Sequence, residues 1–129
     1  MLPQQSRMRR SEDFRRVLRT GRRAGGSTVA GHLLLPAGIG SQGAVLSGDP
    51  AKVGFIVSRA VGSAVVRNRV KRRLRELMRR RVASLPGGCL LVLRALPAAA
   101  GARQADLAAD LDLVIGRLLR RQVGALREE

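Results

Sequence analysis

Apolar residues recur along this chain at two different periods. Phe14, Val17 and Leu18 lie three and four residues apart, which is helical spacing. Ser11 before them and Gly21 after them are typical of helix ends, so we predict a short helix capped by these two residues.

Three other segments predict β-strands. Residues 28–35 combine β-branched and apolar side chains. In residues 52–58, large apolar side chains recur at every second position, at 53, 55 and 57. The continuous apolar run 89–93 predicts a strand buried on both faces, as expected where a helix crosses over to a parallel neighbour. The loop 36–50 between the first two strands is rich in Gly, Ser and Pro, and its residues 44–46 are a candidate sheet edge.

The helical period returns after Ser63, which is the predicted N-cap of a long helix. Gly87 and Gly88 follow this segment and predict that the helix has ended before them. Its apolar residues form one stripe, which we expect to pack on the sheet. They are Val66, Val70, Leu74, Leu77 and Met78.

A last helix is predicted over residues 104–122. Its acidic residues come early and its basic residues come late, and we attribute Asp106, Asp110 and Asp112 to the helix dipole that favours this order. A chain of 129 residues suits one domain. The elements predict a single α/β (α+β) domain with a mixed sheet. The predicted organisation is a flexible basic arm (1–10), the domain (11–122) and a flexible tail (123–129).

Positive charge dominates the composition. The chain carries 25 Lys and Arg against 9 Asp and Glu, a formal net charge of +16, and residues 1–81 hold 19 of the basic side chains. All but two of the basic residues are arginines, whose planar fork suits phosphate oxygens. A bias in the base composition of the coding sequence would give the same excess of arginine. The charge itself favours a polyanionic partner.

Basic side chains fill the part of the long helix that its apolar stripe leaves free. Solvated helix faces normally mix both signs of charge, but Glu76 is the only acidic residue between residues 50 and 105. The pattern therefore favours polyanion binding over a merely solvated face. Asn68 adds an amide that can bind a sugar hydroxyl, a base edge or a neighbouring loop. The basic residues are Arg67, Arg69, Lys71, Arg72, Arg73, Arg75, Arg79 and Arg80.

The chain lacks the side chains that catalysis by the protein would need. Its one histidine, His32, lies in an apolar strand, so a pair of histidines for acid–base catalysis is excluded. Zinc-ligand spacing, a tight acidic cluster and a phosphate-binding glycine loop are also missing. We expect no catalytic residue, no metal site and no small-molecule substrate. The single Cys89 excludes an internal disulfide, and the lack of a signal peptide or membrane-spanning run predicts a cytoplasmic protein.

Residues 53–75 closely resemble the signature of the bacterial ribonuclease P protein family. They run VGFIVSRAVGSAVVRNRVKRRLR, with a Gly-containing strand, a Ser-basic pair, a Gly and an Arg-Asn-Arg helix. The segment 11–21, SEDFRRVLRTG, resembles the family's first helix, and 86–95, PGGCLLVLRA, resembles its last strand. With the closing helix at 104–122, the resemblance covers about residues 7–122.

The resemblance implies an α-β-β-β-α-β-α fold with a left-handed crossover around the Arg-Asn-Arg helix, against the usual right-handed preference. It also implies a function as a subunit that joins a catalytic RNA and assists removal of the 5′ leader from precursor tRNA. RNA would perform the cleavage with Mg²⁺ that the RNA itself mainly holds. The implied partners are the ribonuclease P catalytic RNA and precursor tRNA, with no membrane and no cofactor bound by the protein.

Two RNA-binding surfaces follow from the resemblance, a helix face for the catalytic RNA and a cleft beside the sheet for the single-stranded leader. Leu18, Val29 and His32 stand where relatives often have aromatic residues, so stacking of leader bases is expected to be weaker. Phe14 is either a core residue, a cleft residue or, with one ring face exposed, both. The matching positions are Arg67, Asn68, Arg69, Lys71, Arg72 and Arg75 for the catalytic RNA, and Phe14, Ser58 and Arg59 for the cleft.

Two other functions stay open from the residues alone. A non-enzymatic rRNA- or DNA-binding module would need the same charge pattern, and only activity with the catalytic RNA distinguishes it. A basic amphipathic helix lying on an anionic membrane is a further alternative, although the apolar stripe lacks the Trp and Phe usual in such helices. Co-sedimentation with vesicles would test that alternative.

Overall fold

The computed structural model describes residue 2, residues 4–35 and residues 50–127, with side chains as far as residue 120. Its elements follow the predicted order α-β-β-β-α-β-α. The helices are α1 (Ser11–Thr20), α2 (Ala64–Arg79) and α3 (Gln104–Arg127), and the strands are β1 (Arg22–Gly25), β2 (Val29–Leu34), β3 (Lys52–Ile56) and β4 (Leu90–Ala95). The candidate sheet edge at 44–46 lies outside the described residues.

The four strands form one mixed sheet in the order β1-β2-β4-β3. Strand β2 pairs antiparallel with β1 and β4, whereas β3 pairs parallel with β4. Helix α2 therefore connects two adjacent parallel strands, which confirms the predicted mixed sheet and crossover. The left-handed sense of that crossover stays an implication of the resemblance.

Helices cover both faces of the sheet. Helices α2 and α3 cover one face, where Leu74 and Leu111 share an apolar cluster with Leu91 and Leu93 of β4. Helix α1 covers the other face, which we call the α1 face, where Val17 packs in a cluster with Val92. Because successive strand residues point to opposite faces, β4 contributes to both clusters. The strand predicted to be buried on both faces is thus one of the two inner strands of the sheet.

The caps of the two shorter helices agree only in part with the prediction. Ser63 caps α2 as predicted, since its side chain accepts a hydrogen bond from the Val66 N–H at 3.3 Å. Ser11 is not a cap, because α1 begins at Ser11 and the preceding Arg10 makes no capping hydrogen bond. Gly21 does follow α1, where a side chain would collide with the Val17 carbonyl.

The N-terminal segment, predicted as a flexible arm over 1–10, packs against β3 in the structure. Leu2 and Met8 are only 1% and 6% exposed. The Met8 N–H donates to the Val53 carbonyl at 2.9 Å, and Arg7 forms a parallel bridge with Val53. The segment thus covers the free edge of β3, an edge that would otherwise leave backbone groups unpaired.

Strand β1 and the end of α3 also differ from the prediction. The segment 22–25 is short and polar, so its pattern does not predict a strand. It forms a strand because it pairs with residues 30–33 of β2. Helix α3 continues to Arg127, through most of the segment 123–129 predicted as a tail.

Asp110 joins α3 to the turn between β1 and β2. Its carboxylate accepts hydrogen bonds from the Thr28 N–H at 2.7 Å, the Thr28 hydroxyl at 2.6 Å, the Val29 N–H at 3.1 Å and the Ser27 N–H at 3.2 Å. The side chain is buried. The helix dipole therefore does not explain this residue, which satisfies backbone donors of the turn instead.

Candidate RNA-binding surface

The six residues predicted to bind the catalytic RNA all lie on α2, but they occupy different sides of it. Asn68 and Arg72 are exposed. Residues four apart stack in rows along a helix, so Arg67, Lys71 and Arg75 form one flanking row. Those three and Arg69 on the opposite flank are half-buried. The helix therefore presents a broad cationic surface rather than a narrow stripe.

Arg67 and Arg69 each bury part of the guanidinium group against the protein. The Nε atom of each is buried and has no hydrogen-bond partner within the described part of the chain. A buried donor without an acceptor costs about 1–3 kcal/mol.

Other arginines near α2 have structural contacts. Arg81 makes a two-point interaction with Asp112 of α3, at 2.6 and 3.1 Å, and this hydrogen-bonded pair lowers the pKa of Asp112. Arg73 donates to the Ala102 carbonyl at 3.3 Å. These contacts hold α2 against the segment around α3. Asp112 therefore also has a specific partner that the dipole interpretation missed.

Phe14 is both a packing residue and a cavity residue. Its ring belongs to the periphery of the cluster formed by Met8, Val17 and Val92, and the side chain is half-buried. The ring lies directly on Gly54 of β3, where a Cβ atom would collide with it. The same ring also lines a cavity, so Phe14 packs in the protein and borders an open space at once.

The structure joins Phe14 to the long helix rather than to the other predicted cleft residues. The cavity beside its ring is also lined by Lys71 and Arg75 of α2. Ser58 and Arg59 instead lie exposed in the turn that follows β3. The two predicted surfaces, treated as separate in the sequence, meet at this cavity.

We predict that Gly54→Ala displaces the Phe14 ring. The new Cβ would lie 3.2 Å from the Met8 Cβ and closer still to the ring, so overpacking should lower the free energy of unfolding by about 1–3 kcal/mol. Gly25→Ala is the matched control, because a Cβ there meets nothing within 4 Å. Thermal unfolding of both variants measures the difference. Equal melting temperatures would show that the stability of the protein does not depend on the contact between the Phe14 ring and Gly54.

A second pocket on the α1 face contains basic residues that the sequence did not assign. Arg23, His32 and Arg94 line it. Arg23 lies opposite His32 across β1 and β2, and Arg94 lies opposite Ile56 in β3, close to the turn that carries Ser58. His32 is buried, and its Nδ1 atom has no hydrogen-bond partner among the described residues. Burial and the neighbouring Arg94 and Arg23 lower the pKa of His32, which keeps it neutral at pH 7.

The described residues offer few metal-binding or reactive groups besides these basic surfaces. No three His, Cys, Asp or Glu side chains there come together as a metal site. Cys89 is fully buried, and burial raises the pKa of its thiol to about 12. None of the helices in the described ranges is long and apolar enough to cross a bilayer.

Comparison with known proteins assigns the family. A model of the family described as Ribonuclease P matches residues 2–119, which is most of the chain. The chain belongs to the ribonuclease P protein family. Its resemblance to this family in the segment 53–75 is thereby confirmed.

Individual ribonuclease P proteins support the assignment over nearly the full length. The ribonuclease P protein component of Streptomyces avermitilis is 54% identical over 119 residues, covering 92% of this chain and 96% of the relative. The solved RNase P protein of Staphylococcus aureus has a TM-score of 0.69 at 19% identity, covering 86% of this chain and 93% of that one. The Thermotoga maritima RNase P protein has a TM-score of 0.67 at 21% identity, covering 88% and 96%. These two structures show the shared fold.

Membership in the ribonuclease P protein family makes the chain a component of a ribonucleoprotein that processes tRNA. Its role is therefore within an endoribonuclease complex, and it has an RNA partner in that holoenzyme.

Proposed function

We propose that α2 binds the catalytic RNA and that the α1 face of the sheet binds the single-stranded 5′ leader of precursor tRNA. The observation that carries the first assignment is the helix surface itself. It presents Asn68 and Arg72 to solvent and holds the half-buried Arg67 and Arg69, whose Nε atoms have no partner among the described residues. Lys71 and Arg75 extend this surface toward Phe14.

The proposed leader path crosses the α1 face from Phe14 to the turn after β3. Phe14 offers a ring for base stacking, which is typically worth about 1–3 kcal/mol per base. Ser58 and Arg59 offer a hydroxyl and a guanidinium at the far end of β3. Arg94 and His32 lie beside that path, and Arg94 adds a cation.

In this proposal the catalytic RNA cleaves the precursor and the protein supplies binding. A general acid and base must both lie within hydrogen-bonding reach of the reacting atoms. The one histidine of the chain is buried, neutral and flanked by arginines. Mg²⁺ would be held mainly by RNA phosphates, with the arginines offsetting the repulsion between RNA strands. A cytoplasmic location stays a prediction.

Reconstitution tests this function. Adding the purified chain to its catalytic RNA is expected to restore precursor cleavage at a Mg²⁺ concentration where the RNA alone is inactive. Binding should weaken as salt rises, with a slope of roughly 0.7–0.9 per phosphate contacted. An unrelated protein of similar net charge is the control. Equal stimulation by that control, or cleavage by the protein without RNA, would contradict the proposal, and an rRNA- or DNA-binding module would give no stimulation.

A further inference from the structure

A small cationic cavity lies where the N-terminal segment, α1, β3 and α2 meet. Its volume is about 240 Å³. Residues 53–55 and Met8 line part of it. The charged side chains around it are Arg7, Arg9, Lys71 and Arg75, and the ring of Phe14 lines it as well.

We infer that this cavity is a binding site for a single phosphate group of an RNA backbone, held by Arg7, Arg9, Lys71 and Arg75 beside the Phe14 ring. The anion site itself does not depend on the proposed function. The RNA origin of the phosphate does rest on it.

The charges around the cavity favour binding of an anion. Four basic residues line the cavity, and none of the described residues that line it is acidic. Arg9, Lys71 and Arg75 make no ion pair with any residue in the ranges that the structure describes. Arg7 donates only its Nε, to the Leu2 carbonyl at 3.1 Å. Like charges at short range repel, so the folded protein gains when an anion neutralises them.

The size of the cavity selects a small ligand. Pockets for drug-sized molecules have volumes of about 300–1,000 Å³, and this cavity is smaller. Guanidinium groups hydrogen-bond phosphate oxygens in a two-point geometry. A phosphate group with its attached sugar therefore fits the charge and the size, while the Phe14 ring offers the adjoining base a stacking surface.

The N-terminal segment completes this site. Met8 is fixed to β3 by its hydrogen bond to the Val53 carbonyl, and this contact places Arg7 and Arg9 on either side of a buried residue. Gly54 leaves the space that Phe14 fills, so the ring lies low on the strand beside the basic residues. Segments far apart in the sequence thus build one pocket at the boundary between the two proposed RNA surfaces.

Titration of the isolated full-length chain with inorganic phosphate tests the anion site. We expect Arg9→Gln to weaken phosphate binding about tenfold, since a charge-assisted hydrogen bond contributes on that scale. Arg10→Gln is the matched control, because Arg10 is the adjacent exposed arginine and does not line the cavity. A second pair compares Lys71→Gln/Arg75→Gln with Arg79→Gln/Arg80→Gln on the same helix. Circular dichroism confirms folding of each variant.

Nuclear magnetic resonance locates the bound anion. Phosphate should shift the signals of Arg9, Phe14 and Lys71 more than those of Arg79 and Arg80. Equal loss of affinity in the cavity and control variants, or shifts spread evenly over the basic residues, would overturn the site.

A short single-stranded oligoribonucleotide distinguishes the source of the phosphate. It should compete with inorganic phosphate for the site and bind about tenfold more weakly to Arg9→Gln than to Arg10→Gln. Loss of phosphate binding with unchanged oligoribonucleotide binding would overturn the RNA source. Because these measurements use the protein alone, they remain informative even if reconstitution of cleavage fails.

Discussion

Replacing both Arg67 and Arg69 with alanine is expected to weaken assembly with the catalytic RNA by about 100-fold or more. Each guanidinium lost removes charge-assisted hydrogen bonds worth about 1.5–3 kcal/mol, or roughly tenfold or more in affinity. The domain should still fold, because Val70 and Leu74 hold α2 on the sheet and are fully buried. In addition, the substitutions remove two buried Nε donors that lack partners among the described residues.

Filter binding with the catalytic RNA measures this effect, and thermal unfolding checks the fold. Arg79→Ala/Arg80→Ala removes the same charge from the exposed C-terminal end of α2 and is the matched control. We expect the control to weaken binding by less than about tenfold, through long-range electrostatics alone. Similar losses for both pairs would mean that net charge, and not the positions of Arg67 and Arg69, determines assembly.

Asp110→Ala is expected to lower the free energy of unfolding by about 3–5 kcal/mol. The substitution leaves the buried N–H groups of Thr28 and Val29 and the Thr28 hydroxyl without their acceptor, and each buried unpaired donor costs about 1–3 kcal/mol. Asp106→Ala is the control, because Asp106 is exposed on the same helix and pairs with the exposed Arg103. Urea unfolding at neutral pH measures both variants. Equal destabilisation would show that the turn does not depend on Asp110.

The same carboxylate should make stability depend on pH. Burial alone would raise the pKa of Asp110, but hydrogen bonds from Thr28, Val29 and Ser27 lower it below its usual value. A carboxyl group with a lowered pKa in the folded state stabilises the protein above the unfolded-state value of about 3.9. This stabilisation is lost as the pH falls through the folded-state pKa. The stability of Asp110→Ala should therefore change less with acidification than that of the unmodified chain.

The amino-acid sequence by itself determined the long helix and its charge. Val70, Leu74 and Met78 recur at helical spacing, Ser63 caps the start, and arginines occupy the remaining surface. Local spacing is sufficient here because both helix formation and amphipathicity depend on residues three and four apart. The strand buried on both faces follows for a similar reason, since a continuous apolar run in a crossover unit suits a central parallel strand.

The tertiary structure alone decided the features that depend on contacts between distant segments. Strand β1 is too short and polar to be predicted, and it forms because β2 supplies its hydrogen-bond partners. Leu2 and Met8 look like isolated apolar residues in a basic arm until the free edge of β3 is available to them. Asp110 looks like a dipole residue until the turn at Thr28 presents its N–H groups.

The candidate site likewise combines features that the sequence predicts with features that only the tertiary structure shows. The sequence identified the basic residues of α2 and the aromatic Phe14, because residue type and helical spacing are local properties. It could not show that Phe14 lies beside Lys71 and Arg75, or that Arg7 and Arg9 join them. That arrangement requires β3 to seat the ring on Gly54 and to pair with the N-terminal segment. Such pairings form between residues far apart in the chain, so no local pattern records them.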